Sequence, residues 1–259
     1  MTGFALWLAF LVTGRIGISN LGIVNSLGPL YFLAVSLMVG SIIVSAINKN
    51  VTIITYMALI GTWSALYTLP ILIDGTGYFT YSYKVLGYTN FIIDRGFYDP
   101  IGLPYLNWPG IMLMGTFVTY STGTDAINLL LIVPILIKLL QLLIVGVITF
   151  KLTDESHLAI LASLGFILFD WTAYYLFLPP ALGLLFLLTI IYLIVRRYKH
   201  NDMTRYWGAS LALIFFSLAA SHLLSSVLCL IIIILMLLGP QILKKSFGPV
   251  KGPSPQSSQ

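Results

Sequence analysis

Residues 51–84 read VTIITYMALIGTWSALYTLPILIDGTGYFTYSYK, in which an apolar run ends at an acid, Asp74, and is followed by tyrosines. A helix that crosses the hydrocarbon core of a bilayer, about 30 Å thick, needs roughly 20 apolar residues at about 1.5 Å per residue. The run at 51–69 has that length and character. We therefore predict a membrane-spanning helix here, with a carboxylate just beyond its end.

The composition of the whole chain is that of an integral membrane protein. Of its 259 residues, 59% are hydrophobic and only 8% are charged, and the mean hydropathy is +0.99. Soluble domains carry about 25% charged residues. Cys229 is the only cysteine, which excludes an intramolecular disulfide, and its apolar flanks predict a buried side chain.

Further apolar segments predict a bundle of about eight membrane spans. These segments cover 4–14, 29–47, 51–69, 125–149, 157–177, 181–195, 207–221 and 223–239. The predicted fold class is all-α, a polytopic transmembrane helix bundle with an external loop at 70–124. We divide the chain into N-terminal membrane helices (1–50), a transmembrane module (51–240) and a disordered cytoplasmic tail (241–259), which is rich in Pro, Ser, Gly and Gln.

The distribution of positive charge orients this bundle. If the spans alternate in direction, most of the basic residues fall on one side: Lys49, Lys151, Arg196, Arg197, Lys199, Arg205, Lys244, Lys245 and Lys251. An excess of Lys and Arg marks cytoplasmic loops. We predict a multi-pass protein of the plasma membrane with both termini in the cytoplasm and the loop 70–124 outside. The net charge of +5 then requires no nucleic-acid partner.

The loop 70–124 is predicted to form two helices that lie on the membrane surface. Aromatic rings that carry a polar group prefer the headgroup level, and the loop is rich in tyrosine. A lone strand at that level would leave backbone groups without partners. In the first helix, Tyr78, Tyr81, Val85 and Tyr88 share one stripe, and the second helix covers 111–121.

The order of these features resembles the opening module of the GT-C glycosyltransferase superfamily. These multi-span enzymes transfer sugars from polyprenyl-phosphate carriers and include oligosaccharyltransferases and protein mannosyltransferases. The resemblance covers about residues 51–240 and is to prokaryotic, archaeal-type relatives. Besides Asp74, it depends on YLNWPG (105–110), FLPPALGLLFLL (177–188) and SHLLSS (221–226).

The resemblance implies a catalytic role for Asp74. In this superfamily the acid just past the helix in the first external loop acts as the catalytic base or, in oligosaccharyltransferases, as a metal ligand. A carboxylate can take the proton from an acceptor hydroxyl as that hydroxyl attacks the sugar. The alternative interpretation is that Asp74 caps the helix that follows it.

The resemblance also implies a polyprenyl-phosphate-linked sugar donor, held among the helices in contact with membrane lipid. The candidate residues for binding this substrate or its lipid carrier are Arg95, Asp170, His222, Tyr78 and Trp108. Arg95 and His222 could hold the carrier phosphate by donating hydrogen bonds. The alternatives are a helix-packing hydrogen bond for Asp170 and a hydrated turn for His222.

The sequence implies no firm cofactor, and a divalent metal is one possibility. Asp94 and Asp99 are the candidate additional ligands, but they lack a tight D-x-D spacing, and their sequences also suit turns. Within the spans, Lys138 is predicted to pack in the bundle or to extend toward the interface rather than to bind substrate.

The sequence is also compatible with two functions other than a glycosyltransferase. GT-C enzymes usually carry more spans after the acid than this chain offers. The chain could therefore be a noncatalytic membrane subunit in glycan or envelope assembly, with another membrane subunit completing the module. The third possibility is a lipid or solute transporter, which Asp170 and Lys138 within the spans favour.

Overall fold

The computed structural model describes residues 2–13, 27–68, 80–98, 107–170, 176–200 and 206–247, and within them it is all-helical, without strands. These described residues form ten α-helices: α1 (Thr2–Thr13), α2 (Pro29–Ile47), α3 (Ile53–Tyr67), α4 (Thr80–Arg95), α5 (Gly110–Thr122), α6 (Leu129–Thr153), α7 (Ser156–Asp170), α8 (Pro179–His200), α9 (Trp207–Ser221) and α10 (Leu223–Phe247). A short 3₁₀ helix, Ala126–Asn128, leads into α6.

Three of the described helices are long and apolar enough to cross a membrane. They are Pro29–Ile47, Ala126–Thr153 and Pro179–Lys199, with mean hydropathies of 2.3, 2.7 and 1.9. Only 28%, 33% and 39% of these stretches is buried inside the protein. Apolar surface of this extent is unfavourable in water, whereas lipid covers it without cost. The fold is therefore that of an all-helical membrane protein. The apolar helices α1, α3, α7, α9 and α10 have shorter apolar stretches.

Within the described residues, three hydrophobic clusters hold the helices together. The first joins α1, α2, α3, α6 and α7, the second joins α4, α5, α6 and the start of α8, and the third joins α8, α9 and α10. Cys229 lies in the third cluster and is 1% exposed, which confirms its predicted burial. α1 and α2 share their cluster with α3, across the predicted boundary at residue 50.

α7 is described from Ser156 to Asp170 and overlaps the span predicted at 157–177. Residues 171–175 lie outside the described residues, and residues 176–178 are bends rather than helix. A residue that precedes proline is disfavoured in the helical conformation, and Leu178 precedes Pro179. Helix is therefore absent at 176 and 177, the last two residues of the predicted span. The side chain of Asp170 lies outside the described part.

The buried face of α4 includes Val85 of the tyrosine stripe but not Tyr81. Tyr81 is 54% exposed, and the buried residues are Ser82, Val85, Leu86, Thr89 and Ile92. A Cβ atom added to Gly115 of α5 would lie 3.2 Å from Cγ2 of Thr89. The small side chains of this stripe thus permit a close approach of α4 and α5, which large tyrosine rings would prevent.

Lys138 packs inside the bundle and does not extend to the interface. Its side chain is 1% exposed, and its Nζ lies 5.4 Å from the centroid of the Phe166 ring on α7. One turn further along α6, Gln141 is also buried and donates from Nε2 to the Ala181 carbonyl at 2.7 Å. This hydrogen bond links the middle of α6 to the first turn of α8.

The last helix continues past the predicted start of the tail. α10 reaches Phe247, so residues 241–247 are helical. The remainder of the predicted tail, 248–259, lies outside the described residues.

Candidate functional site

Three sequence elements that are far apart in the chain contact one another at one end of the bundle. A Cβ atom added to Gly110 would lie 2.9 Å from Cα of Ser221, and one added to Gly183 would lie 2.7 Å from Cβ of His222. At both positions only glycine allows the backbones to approach so closely. We call this contact region, formed by Gly110, Gly183, Ser221, His222 and Ser225, the junction.

The junction collects the N-termini of three helices. α5 begins at Gly110, immediately after Pro109. α8 begins at Pro179, whose fixed φ suits the first position of a helix. α10 begins directly after His222. The unpaired N–H groups of a helix N-terminus carry partial positive charge, whereas the C-terminus of α9, which ends at Ser221, carries partial negative charge. Three N-termini and one C-terminus thus meet at the junction.

His222 caps α10 with its side chain. Its backbone is extended, with φ −162° and ψ 114°. The Ser225 backbone N–H donates to Nδ1 of His222 at 3.3 Å, and the Ser225 hydroxyl lies 2.7 Å from the same atom. This is the hydrogen bond that a capping residue makes to the third residue of its helix. Because Nδ1 accepts it, the proton of the neutral ring is on Nε2.

The protonation state of His222 follows from its surroundings. The ring is half-buried, and burial lowers the pKa of His222 from its usual 6.5. At neutral pH the side chain is therefore uncharged, with Nδ1 as an acceptor used by the cap and Nε2–H as the remaining donor. Such a ring can donate one hydrogen bond to a phosphate oxygen without contributing a full positive charge.

We expect this cap to make stability depend on pH. The folded-state pKa of His222 is lowered, so the stabilisation is complete above about pH 6.5 and is lost as the pH falls through the folded pKa. His222→Ala should lower the free energy of unfolding by about 0.5–2 kcal/mol at neutral pH, whereas His222→Asn should retain the cap. Thermal unfolding in detergent at about pH 7.5 and about pH 5 checks both expectations. If wild type and His222→Asn lost equal stability between these two pH values, the assignment of His222 as the titrating cap would be contradicted.

Two of the predicted carrier-binding residues lie at or beside the junction. One is His222, and the other is Trp108. It is partly exposed and stands two residues before Gly110, just ahead of α5. Asp74, Tyr78 and Asp99 lie outside the described residues.

Arg95 and Asp94 lie far from the junction. Tyr120 of α5 donates its hydroxyl hydrogen bond to the Ile93 carbonyl of α4 at 2.9 Å. Gly110 and Tyr120 are ten residues apart on one helix, which is about 15 Å at 1.5 Å per residue. Arg95 is exposed there, 5.9 Å from the centroid of the Phe91 ring, and Asp94 is exposed beside it.

The glycines and serines of the junction were not singled out from the sequence. Ser225 could have been recognised, because it stands three residues after His222, the spacing of a capping box. Gly110 and Gly183 give no comparable signal, since their importance depends on which helices become neighbours. Among the described residues, no group of three or more His, Cys, Asp or Glu side chains could hold a metal ion.

The fold and the exposed apolar helices define the class of this chain as an all-helical membrane protein. In comparisons with known proteins, no protein-family model, no curated protein and no solved structure matches it.

Proposed function

We propose that the protein is a membrane-embedded glycosyltransferase that transfers a sugar from a polyprenyl-phosphate carrier to an acceptor on the external face. The observation that carries this proposal is the junction. Its residues belong to 105–110, 177–188 and 221–226, the three elements on which the resemblance to GT-C enzymes depends. Elements that serve one site must meet in space, and these three do.

The electrostatics of the junction support an anionic ligand. Helix N-termini bind phosphate groups through their free N–H groups, and Nε2–H of His222 adds a donor. The carboxylates whose side chains are described are exposed or engaged elsewhere: Asp94, Asp125, Asp154 and Glu155. The phosphate of the carrier suits this combination of donors and partial positive charge.

Apolar grooves between the helices suit the lipid part of the carrier. One groove of about 310 Å³ lies between α3, α6 and α7 and is lined mostly by aliphatic side chains, such as Leu59, Leu142 and Ile160. It reaches Ser156, so it opens toward the end of the bundle opposite the junction. A polyprenyl chain has no polar group, so its binding needs buried apolar surface and no hydrogen-bond partner.

In this proposal Asp74 is the catalytic base. It takes the proton of the acceptor hydroxyl as the hydroxyl oxygen forms a bond to the anomeric carbon. The bond from that carbon to the carrier phosphate breaks, and the phosphate keeps the electron pair. Asp74 is six residues from both Thr68 and Thr80, so at about 3.6 Å per residue it lies within about 22 Å of each. Tyr67 donates to the Ile167 carbonyl at 3.3 Å, which places the end of α3 beside α7.

The finer topology belongs to the same proposal. Eight helices span the plasma membrane, α4 and α5 lie at its outer surface, and the junction faces outside. The excess of Lys and Arg at the other end supports this orientation. In a Cys229→Ser background, Thr76→Cys should react with an impermeant thiol reagent on intact cells, and Asn201→Cys should not. The reverse labelling pattern would exclude the orientation.

The experiment that tests the function is sugar transfer by the purified protein in lipid vesicles. The vesicles contain a polyprenyl-phosphate donor with a labelled sugar and a membrane extract as the acceptor source. We expect label to move from the donor to the acceptor fraction. Binding of the donor without transfer would favour the noncatalytic subunit, and absence of both would exclude the glycosyltransferase.

A further inference from the structure

The C-terminal ends of α6 and α8 lie next to each other, on the side of the bundle opposite the junction. Lys199 of α8 forms an ion pair with Asp154, the residue that follows α6. Trp207, the first residue of α9, donates from Nε1 to the Leu193 carbonyl of α8 at 3.1 Å. We call the surface formed by Lys151, Arg196, Arg197, Lys199 and Trp207 the basic corner.

Among the described residues, the two carboxylates at this corner both form ion pairs. Asp154 pairs with Lys199, and Glu155 pairs with Nε2 of His157 at 2.8 Å. Lys151 and Arg196 each stand three residues before a member of the Lys199–Asp154 pair, about one helical turn away. In the part of the chain that the structure describes, neither has a carboxylate within ion-pair distance. The described residues of the corner therefore carry an excess of positive charge.

The side chain of Arg197 is held in place by an aromatic ring. Its guanidinium lies 4.1 Å from the centroid of the Trp207 ring, a cation–π contact. This contact fixes a positive charge of the corner beside the first residue of α9.

Exposed tyrosines place the corner at the level of lipid headgroups. Tyr198 is 85% exposed and Tyr206 is 72% exposed. Aromatic rings with a polar group are enriched at the boundary between acyl chains and headgroups. From Pro179 to Arg196, α8 rises about 26 Å at 1.5 Å per residue, close to the thickness of the hydrocarbon core. A helix that enters the bilayer near Pro179 thus brings Arg196 to the opposite headgroup layer.

We propose that the basic corner binds the phosphate headgroup of an anionic phospholipid from the surrounding bilayer. Arg196 and Lys151 contact the phosphate, and the charge of Arg197 adds to the positive potential of the corner. Charge complementarity selects the partner, because an anionic lipid is attracted and a zwitterionic lipid gains no net attraction. This site is separate from the junction and does not depend on the catalytic proposal.

The test uses native mass spectrometry of the full chain released from detergent with bound lipid. The probes are phosphatidylglycerol and phosphatidylcholine of equal chain length. We expect the wild-type protein to retain phosphatidylglycerol in preference to phosphatidylcholine. Arg196→Gln and Lys151→Gln should each weaken that binding by about fivefold, since each cation near an anionic surface contributes about 1 kcal/mol, and the double variant should weaken it further. Arg196→Lys, which keeps the charge, should retain most of the binding.

Lys84→Gln is the matched control, because it removes one exposed cation from α4, outside the corner. It should leave lipid retention unchanged. Equal retention of the two lipids, wild-type retention by the double variant, or an equal loss in Lys84→Gln would overturn the proposal. Displacement of the lipid by free glycerophosphate at a similar concentration would also overturn it, because the corner would then bind soluble phosphate.

Discussion

Asp74→Asn should reach the membrane in wild-type amounts and lose sugar transfer by about 10²- to 10⁴-fold. A positioned general base contributes about that factor, equivalent to about 3–5 kcal/mol of activation free energy. Asparagine has nearly the size of aspartate and retains its capping ability, but it cannot accept the proton. Transfer from the polyprenyl-phosphate donor, compared at equal protein levels, measures the loss.

Asp94→Asn is the control for this prediction. Asp94 is exposed near the end of α4, about 15 Å along α5 from the junction, so its replacement should leave transfer nearly unchanged. A fully active Asp74→Asn variant would exclude the catalytic role and leave the helix cap as the better interpretation of that carboxylate. Equal losses in both variants would indicate a general effect of charge in the loop.

The helices could be predicted from the sequence because hydropathy in a membrane protein is nearly sufficient to define them. The apolar run at 29–47 coincides with α2, Pro29–Ile47. Pro29 also suits the first position of a helix. The lone cysteine, Cys229, was correctly assigned to the interior. In each case the signal is local, since it depends only on neighbouring residues in the chain.

Helix neighbours could not be predicted in the same way. In lipid, apolar side chains have no preference for a helix over an acyl chain, so hydropathy does not indicate which faces touch. The buried face of α4, which includes Ser82 and Thr89 but not Tyr81, could therefore not be assigned from the sequence. The contacts of Gly110 and Gly183 were missed for the same reason.

Gly110→Ala and Gly183→Ala should each lower the free energy of unfolding by about 1–3 kcal/mol, the usual effect of overpacking. The new methyl group of the first variant would lie 2.9 Å from Cα of Ser221, a backbone atom that cannot rotate away. That of the second would lie 2.7 Å from Cβ of His222. In both variants the helices that form the junction must separate.

Gly165→Ala is the matched control, since Gly165 lies within α7 and an added Cβ there meets nothing within 4 Å. Alanine favours a helix over glycine by about 0.5–1 kcal/mol, so this variant should be as stable as wild type or more so. The measurement is thermal unfolding of each variant in one detergent. Equal melting temperatures in Gly110→Ala and Gly165→Ala would show that the close approach at Ser221 is absent.

The same glycine variants distinguish phosphate binding at the junction from helix packing alone. If the junction holds the carrier phosphate, the displacement of His222 by an alanine at 183 should weaken donor binding even at temperatures where the variant remains folded. The displacement moves Nε2–H, and a hydrogen bond weakens steeply when its geometry is lost. Binding of the polyprenyl-phosphate donor should therefore fall in Gly183→Ala and remain at the wild-type level in Gly165→Ala. Wild-type binding by a folded Gly183→Ala variant would leave the junction as helix packing alone.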